Sequence, residues 1–202
     1  SEEPIAAIVL AAGKGTRMKS ALPKVLHRIA GHPMVCHVID ATKPLAPTRT
    51  VVVVGPDMEA VTETVSPHPT AVQTDQAGTG DAVKTGIRIL DGFSNGTVLV
   101  LFGGDPLITI GTLRRMVAAR EAGAAVVVLG FRAGDPTGYG RLVLDDQGTL
   151  QAIVEDKDAS ENERAIDLCN AGVMAIDGAR LSGLLARIGN ENVKGEYYLT
   201  DI

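Results

Sequence analysis

The chain is poor in the features that would place it in several common classes. It holds two cysteines, Cys36 and Cys169, far apart and without CxxC spacing. That pattern argues against a disulfide scaffold or a cysteine zinc site and fits reduced core thiols in a cytosolic protein. No apolar run reaches the roughly 18 residues that a membrane-spanning helix needs, and no charged start leads into a signal-like apolar stretch. Positive charge is not in excess: 19 Lys and Arg against 24 Asp and Glu give a net charge of −5, with a pI near 5.4. A nonspecific nucleic-acid partner is therefore not expected, and basic residues can act only in local patches. His27, His32, His37 and His68 lack metal-ligand spacing and read as structural. Low-complexity tracts, internal repeats and the hexapeptide repeat of a left-handed β-helix are all missing. The first residue is Ser1 rather than methionine, as expected of a processed chain or of a piece of a longer one.

What remains is an ordinary globular composition. The 202 residues are 45% hydrophobic and 21% charged, enough for a real core in one domain or one domain with an appendage. Ile5–Ala11, Thr50–Gly55, Val98–Phe102 and Ala125–Gly130 are short apolar, largely β-branched runs, as in strands buried on both faces. Between them Met34–Thr42, Met58–Val65, Ala82–Leu90 and Leu113–Glu121 have helical spacing, with Thr112 as the expected N-cap of the last. The alternation predicts an α/β fold with a mostly parallel sheet. After Gly134 the texture changes. Arg141–Leu144 and Gln151–Glu155 flank the turn Asp145-Asp146-Gln147-Gly148, Gly172–Ile176 is a further strand, and Leu181–Ile188 a helix.

The first strand runs into Leu10-Ala11-Ala12-Gly13-Lys14-Gly15-Thr16-Arg17-Met18, closed by Pro23-Lys24. Small residues let a backbone approach a ligand closely, and their free N–H groups make an anion-binding concavity. Three cations accompany it: Lys14, Arg17 and Lys24. A Walker A loop would need glycine where Ile8 stands, and the dinucleotide pattern G-x-G-x-x-G ends on Met18. P-loop hydrolysis and Rossmann hydride transfer are thus not the first reading; an ordinary βα turn is the bland alternative. Two more loops follow strands: Gln73 to Thr79, and Gly103-Gly104-Asp105. In open α/β sheets ligands bind at the carboxyl ends of strands, so the three loops are expected to face one crevice.

Leu10–Met18 with Pro23-Lys24 resembles the signature of sugar-1-phosphate nucleotidyltransferases. Four later segments narrow the resemblance: Gln76–Gly80, Asp135–Arg141, Ile153–Ala159 and Gly195–Ile202. Together they are similar to the N-terminal uridyltransferase domain of the bifunctional bacterial enzymes that make UDP-N-acetylglucosamine, over almost the whole chain. The resemblance implies a Rossmann-like, glycosyltransferase-A-like three-layer α/β sandwich. A nucleotide-binding core would span about residues 1–133 and a smaller sugar-binding lobe about 134–202. It implies UTP, N-acetylglucosamine-1-phosphate and Mg²⁺ as partners, with UDP-N-acetylglucosamine, a cell-envelope precursor, as product made in the cytoplasm.

The resemblance also assigns residues. Arg17 would hold the β- and γ-phosphates, and Lys24 would bridge the nucleotide and the sugar phosphate; both are the expected catalytic cations. Leu10, Ala11, Ala12, Gly13, Lys14, Gly15 and Thr16 would cradle the nucleotide, Gln73, Gly78 and Thr79 would read uracil, and Gly103 and Gly104 would complete that site. Gly140, Glu155 and Asn170 would hold the sugar, with Tyr197 and Thr200 beside them. Without the family, Thr79 reads equally as a helix cap and Glu155 as a surface charge on a hairpin. The family's Gly-Asp-x-Pro-Leu motif, whose Asp binds the metal, is shifted here: aligned on Pro106-Leu107, Gly104 takes the Asp position and Asp105 the variable one. Asp105 is the metal candidate, and an impaired, UDP-sugar-binding variant is the competing reading, as is a relative using another sugar or base. Asp81 stands where the family has His, and Ala171 where it has Thr. The lobe is expected to be interrupted at Asp201-Ile202. The helical arm and acetyltransferase β-helix, through which full-length relatives form trimers, are not expected in this chain.

Overall fold

The computed structural model describes residues 3–13, 21–90 and 92–202. The chain runs β1 (Ile5–Leu10), a small hairpin of β2 (Arg28–Ile29) and β3 (His32–Pro33), α1 (Met34–Thr42), β4 (Arg49–Val54), α2 (Glu59–Val65) and β5 (Thr70–Val72). It continues through α3 (Thr79–Ile87), β6 (Thr97–Phe102), α4 (Ile110–Glu121), β7 (Val126–Arg132), β8 (Arg141–Leu144) and β9 (Leu150–Val154). The last elements are α5 (Glu161–Arg164), β10 (Leu168–Asp177) and α6 (Leu181–Leu185).

One eight-stranded sheet organises the fold, in the order β5-β4-β1-β6-β10-β8-β9, with β7 paired to β10. Strands β5, β4, β1 and β6 are parallel. Antiparallel β10 extends them and carries β7 and β8, and β8 folds back on β9. Every residue of β1 is buried, and its side chains alternate between two cores. Ala7 and Val9 pack with Val35 and Val38 of α1, Val61 of α2 and Leu113 of α4. Ala6, Ile8 and Leu10 pack with Val83 of α3 and Leu181 and Leu185 of α6. The result is the three-layer α/β/α sandwich that continuous Val/Ile/Leu strands require, because a parallel sheet must be covered on both faces.

β10 joins β6 of the parallel strands to β7 and β8. Its second half pairs β6 through Met174–Asp177, while Cys169 in its first half pairs Arg141 of β8. A register shift between Asn170 and Met174 separates the halves. Gly172 lies in this shift with its Cα against the Phe102 ring, where a Cβ would come within 3.0 Å. The β8–β9 hairpin closes on the expected turn, with Asp145 Oδ1 accepting from the N–H groups of Gln147 (2.9 Å) and Thr149 (2.8 Å).

Two helix starts differ from expectation. α4 is capped by Thr109, whose Oγ1 accepts from Thr112 N at 3.3 Å, so Thr112 lies inside the first turn. α3 begins at Thr79 rather than Ala82 because its first turn is docked on the C-terminal segment: Gly80 N donates to Tyr197 O (2.7 Å) and Tyr197 N to Ala77 O (2.7 Å). The N-cap, Gly78, has φ +109, and a Cβ there would meet Tyr197 O at 2.6 Å. Only glycine adopts that conformation without strain.

Candidate active site

A cleft of about 540 Å³ opens over the carboxyl ends of the parallel strands, within the range of small-molecule sites. The three loops singled out in the sequence meet there. Leu10, Ala11, Ala12, Gly13 and Lys24 line it from the β1 side, Gln73, Gly78 and Thr79 from the loop after β5, and Gly104 and Asp105 from the loop after β6. Lys14, Gly15, Thr16 and Arg17 lie outside the described residues. Gly103 is not on the cleft wall. Its N–H donates to Leu10 O at 2.9 Å, and it packs behind the wall against Val25.

The first two loops are held by backbone bonds that continue the strand pairing below them, and the third by a turn bond at the end of β6. Ala11 N donates to Val53 O (2.8 Å), Gln73 N to Val54 O (2.8 Å) and Asp105 N to Phe102 O (3.1 Å). Lys24 reaches across to the third loop: a Cβ on residue 104 would sit 3.2 Å from its Cε and 3.3 Å from its Nζ. Glycine at 104 therefore leaves room for the lysine stem, and the ammonium is placed over the β6 loop at Gly104.

Gln73 is 4% exposed. Its amide nitrogen donates to Gly78 O at 3.0 Å and to Asp81 Oδ2 at 2.8 Å, and the same carboxylate oxygen accepts from Ala77 N at 3.3 Å. Thr79 is the first helical residue of α3 rather than its cap, and its hydroxyl accepts from Leu199 N at 2.9 Å. The sequence did not single out Gln76 or Glu196, which also line the cleft. Gln76 stands at φ +48 and donates from Nε2 to Ala12 O at 2.7 Å, tying the second loop to the first. Its place in the Gln76–Gly80 motif was the available signal; Glu196 gave none beyond its segment.

A second group adjoins the cleft. Gly140 just before β8, Glu155 just after β9, Asn170 of β10 and Thr200 of the C-terminal segment come together. Asn170 N donates to Gly140 O at 2.8 Å, Thr200 Oγ1 donates to Glu155 Oε1 at 3.2 Å, and a Cβ on Gly140 would lie 3.5 Å from Glu155 Oε1. The Asn170 side-chain oxygen accepts from Gly172 N at 2.9 Å. Burial pushes the Glu155 carboxyl above its ordinary range, partly opposed by the Thr200 hydroxyl and Lys194. The Thr79–Leu199 bond and the Phe102–Gly172 contact connect this group to the cleft wall. Tyr197 is placed differently: its backbone is bonded to the start of α3, and Lys84 Nζ lies 5.0 Å from its ring centroid.

Behind the second group lies Arg141, 2% exposed. Its Nη2 donates to Asp156 Oδ1 at 3.0 Å and to Arg164 O at 3.3 Å, and its Nη1 to Tyr139 O. It thereby fixes the turn ending at Gly140 to the strand end carrying Glu155.

Among the described residues no group of three or more His, Cys, Asp or Glu side chains could hold a metal by itself. No helix of the described residues is long and apolar enough to cross a membrane.

A glycine-lined cleft over the carboxyl edge of a parallel α/β sheet, with a lysine across it and a polar group beside it, defines an enzyme of the nucleotide-binding α/β class. The chain belongs to the MobA-like NTP transferase domain family, which it matches over residues 7–166. It is 60% identical over 199 residues to the bifunctional protein GlmU of Rhodospirillum rubrum, covering 98% of this chain and 44% of that protein. It is 58% identical over 200 residues to GlmU of Paramagnetospirillum magneticum (98% and 44%), and 49% identical over 209 residues to GlmU of Thermobifida fusca (100% and 43%). The chain thus spans less than half the length of these relatives. Among solved structures, UDP-glucose pyrophosphorylase bound to UDP-glucose superposes with a TM-score of 0.79 at 16% identity, covering 98% of this chain and 84% of that one. The apo form gives 0.80 at 15%, with 98% and 85% covered. At such identities these two establish the fold alone.

Proposed function

We propose that the chain transfers UMP from UTP to N-acetylglucosamine-1-phosphate, giving UDP-N-acetylglucosamine and pyrophosphate in the cytoplasm. The observation that carries the reading is the meeting of the two groups. A glycine- and lysine-lined cleft suited to a nucleoside triphosphate adjoins a hydrogen-bonded group of Gly140, Glu155, Asn170 and Thr200 suited to a sugar. The likeness to GlmU proteins over nearly the whole chain supports it.

A phosphate oxygen of the sugar phosphate attacks the α-phosphorus of UTP, and the bond to the bridging oxygen of pyrophosphate breaks. The nucleophile is already an anion, so no base is required. Negative charge builds on the α-phosphoryl oxygens, and cations placed beforehand lower the barrier. Lys24, over Gly104 and beside the first loop, supplies one such charge; Arg17 is assigned the β- and γ-phosphates. Gln73, Gly78 and Thr79 hold the base. Glu155 and Asn170 hold the sugar hydroxyls and acetamido group, and the Gly140 turn holds the sugar phosphate.

Mg²⁺ fits this donor set as a phosphate-bound ion. Asp105 supplies a carboxylate on the cleft wall that Lys24 also lines, and Mg²⁺ commonly uses one or two carboxylates with substrate phosphates and waters. When bound it would neutralise developing phosphoryl charge. A nucleotide panel with pyrophosphate detection tests the assignment: turnover with UTP above dTTP and CTP supports it, and a preference for another base refutes it. Gly104 in the place of the family's metal-binding Asp favours one second reading, a UDP-sugar binder without turnover. Tight UDP-N-acetylglucosamine binding with no pyrophosphate release at saturating Mg²⁺ would select it.

A further inference from the structure

We propose that Asp81 is a positioning residue that fixes which end of the Gln73 carboxamide faces the nucleotide, and so selects a pyrimidine carrying N3–H over cytosine. The inference rests on the cleft being a pyrimidine-nucleotide site. Gln73 is 4% exposed, so turning its amide is the freedom that matters. Both groups on its nitrogen are acceptors: Gly78 O at 3.0 Å and the Asp81 carboxylate at 2.8 Å. The two amide hydrogens are consumed by these bonds, and a turned amide would set its oxygen against two acceptors, one of them charged. Gln73 then has only Oε1 to offer the cleft it lines.

An acceptor there pairs with the N3–H of uracil or thymine. The N3 of cytosine is itself an acceptor and is opposed. Asp81 is absent from the cleft wall and acts through Gln73. It is held in turn by Ala77 N at 3.3 Å and by its place in the first turn of α3, where a carboxylate is favoured. Gly78 O alone would hold the amide less firmly, because a hydrogen bond to a charged partner is about twice as strong as a neutral one.

The test measures dissociation constants of UTP, dTTP and CTP for the native chain and for Asp81→Ala and Asp81→Asn. Asp81→Ala is expected to lose roughly tenfold of the UTP-over-CTP preference, the scale of one charge-assisted hydrogen bond. The UTP-to-dTTP ratio should not move, since both bases carry N3–H. Asp81→Asn retains an acceptor oxygen without the charge and should recover part of the preference. A uniform loss of affinity for all three nucleotides in Asp81→Ala, with the ratios intact, would leave Asp81 a merely structural role and overturn the proposal. A native chain that binds none of the three overturns the reading of the site together with the proposal. Should Asp81→Ala fail to fold, the native chain still decides. The Gln73 side-chain NH₂ signals should stay protected from hydrogen exchange with and without UTP, and loss of protection on binding would overturn the proposal.

Discussion

Replacing Arg141 by methionine tests whether the group around Gly140 and Glu155 is held together as its geometry implies. Met keeps much of the apolar stem and the volume, so the cavity created is small. What disappears is the guanidinium that pairs with Asp156 at 3.0 Å and donates to Arg164 O at 3.3 Å and to Tyr139 O. Removing one member of a buried ion pair costs about 3–5 kcal/mol. The Asp156 side chain is 25% exposed against 2% for Arg141, so water reaches the stranded carboxylate. Among the described residues Arg141 Nε also has no partner, so the arrangement shown carries an unmet donor. Both points favour the lower end, about 3 kcal/mol. In a domain of this size that lowers Tm by roughly 6–12 °C. Urea unfolding followed by circular dichroism measures it. The double variant Arg141→Met/Asp156→Leu should recover most of the loss, because deleting both charges removes the uncompensated one. A single-variant loss below about 1 kcal/mol, or losses that simply add in the double variant, would refute the reasoning. Under the proposed function, KM for the sugar phosphate should rise more than KM for UTP, since Gly140 and Glu155 adjoin the two ends of the pair.

Three further outcomes follow from the same geometry. Gly78→Ala forces a Cβ to 2.6 Å from the Tyr197 carbonyl at φ +109 and should destabilise by about 2–4 kcal/mol, read by thermal unfolding; a change under about 0.5 kcal/mol would mean the α3–C-terminal docking is not as described. Lys24→Ala should lower kcat by about 10²–10³ with little effect on Tm, as loss of a preplaced charge does; an unchanged kcat removes Lys24 from the chemistry. Glu155→Gln should raise Tm at pH 7. A carboxyl with a raised pKa stabilises the fold while protonated and loses that contribution as pH rises through the folded-state value, so the neutral amide gains most at high pH. The gain should fade below about pH 4, and a gain that grows on acidification would contradict the assignment.

Much of this was legible in the sequence where local and tertiary preferences agree. α1 spans Met34–Thr42 as its spacing predicts, and the β1 and β6 runs were read within a residue because parallel strands buried on both faces are continuously apolar. The three site loops were legible for the same reason: each follows a strand whose carboxyl end faces the cleft. Illegible were features set by partners distant in sequence. α3 starts early because Tyr197 and Leu199 satisfy its first turn, and no helix propensity in Thr79-Gly80 announces that. Thr109 caps α4 instead of Thr112 because both offer a hydroxyl, and the sequence alone does not rank them. Gln73 reads as a donor and acceptor at once, yet Asp81 and Gly78 take up its donors. Asp81 is conspicuous in sequence only as a departure from the family, and its pairing with Gln73 is visible only in the fold.

The most direct test is pyrophosphate release by this chain with UTP, N-acetylglucosamine-1-phosphate and Mg²⁺, with UDP-N-acetylglucosamine quantified in the same reaction. The account predicts both products in equal amounts and none when either substrate is left out. Binding of UDP-N-acetylglucosamine without any pyrophosphate, under conditions where a full-length relative turns over, would contradict it.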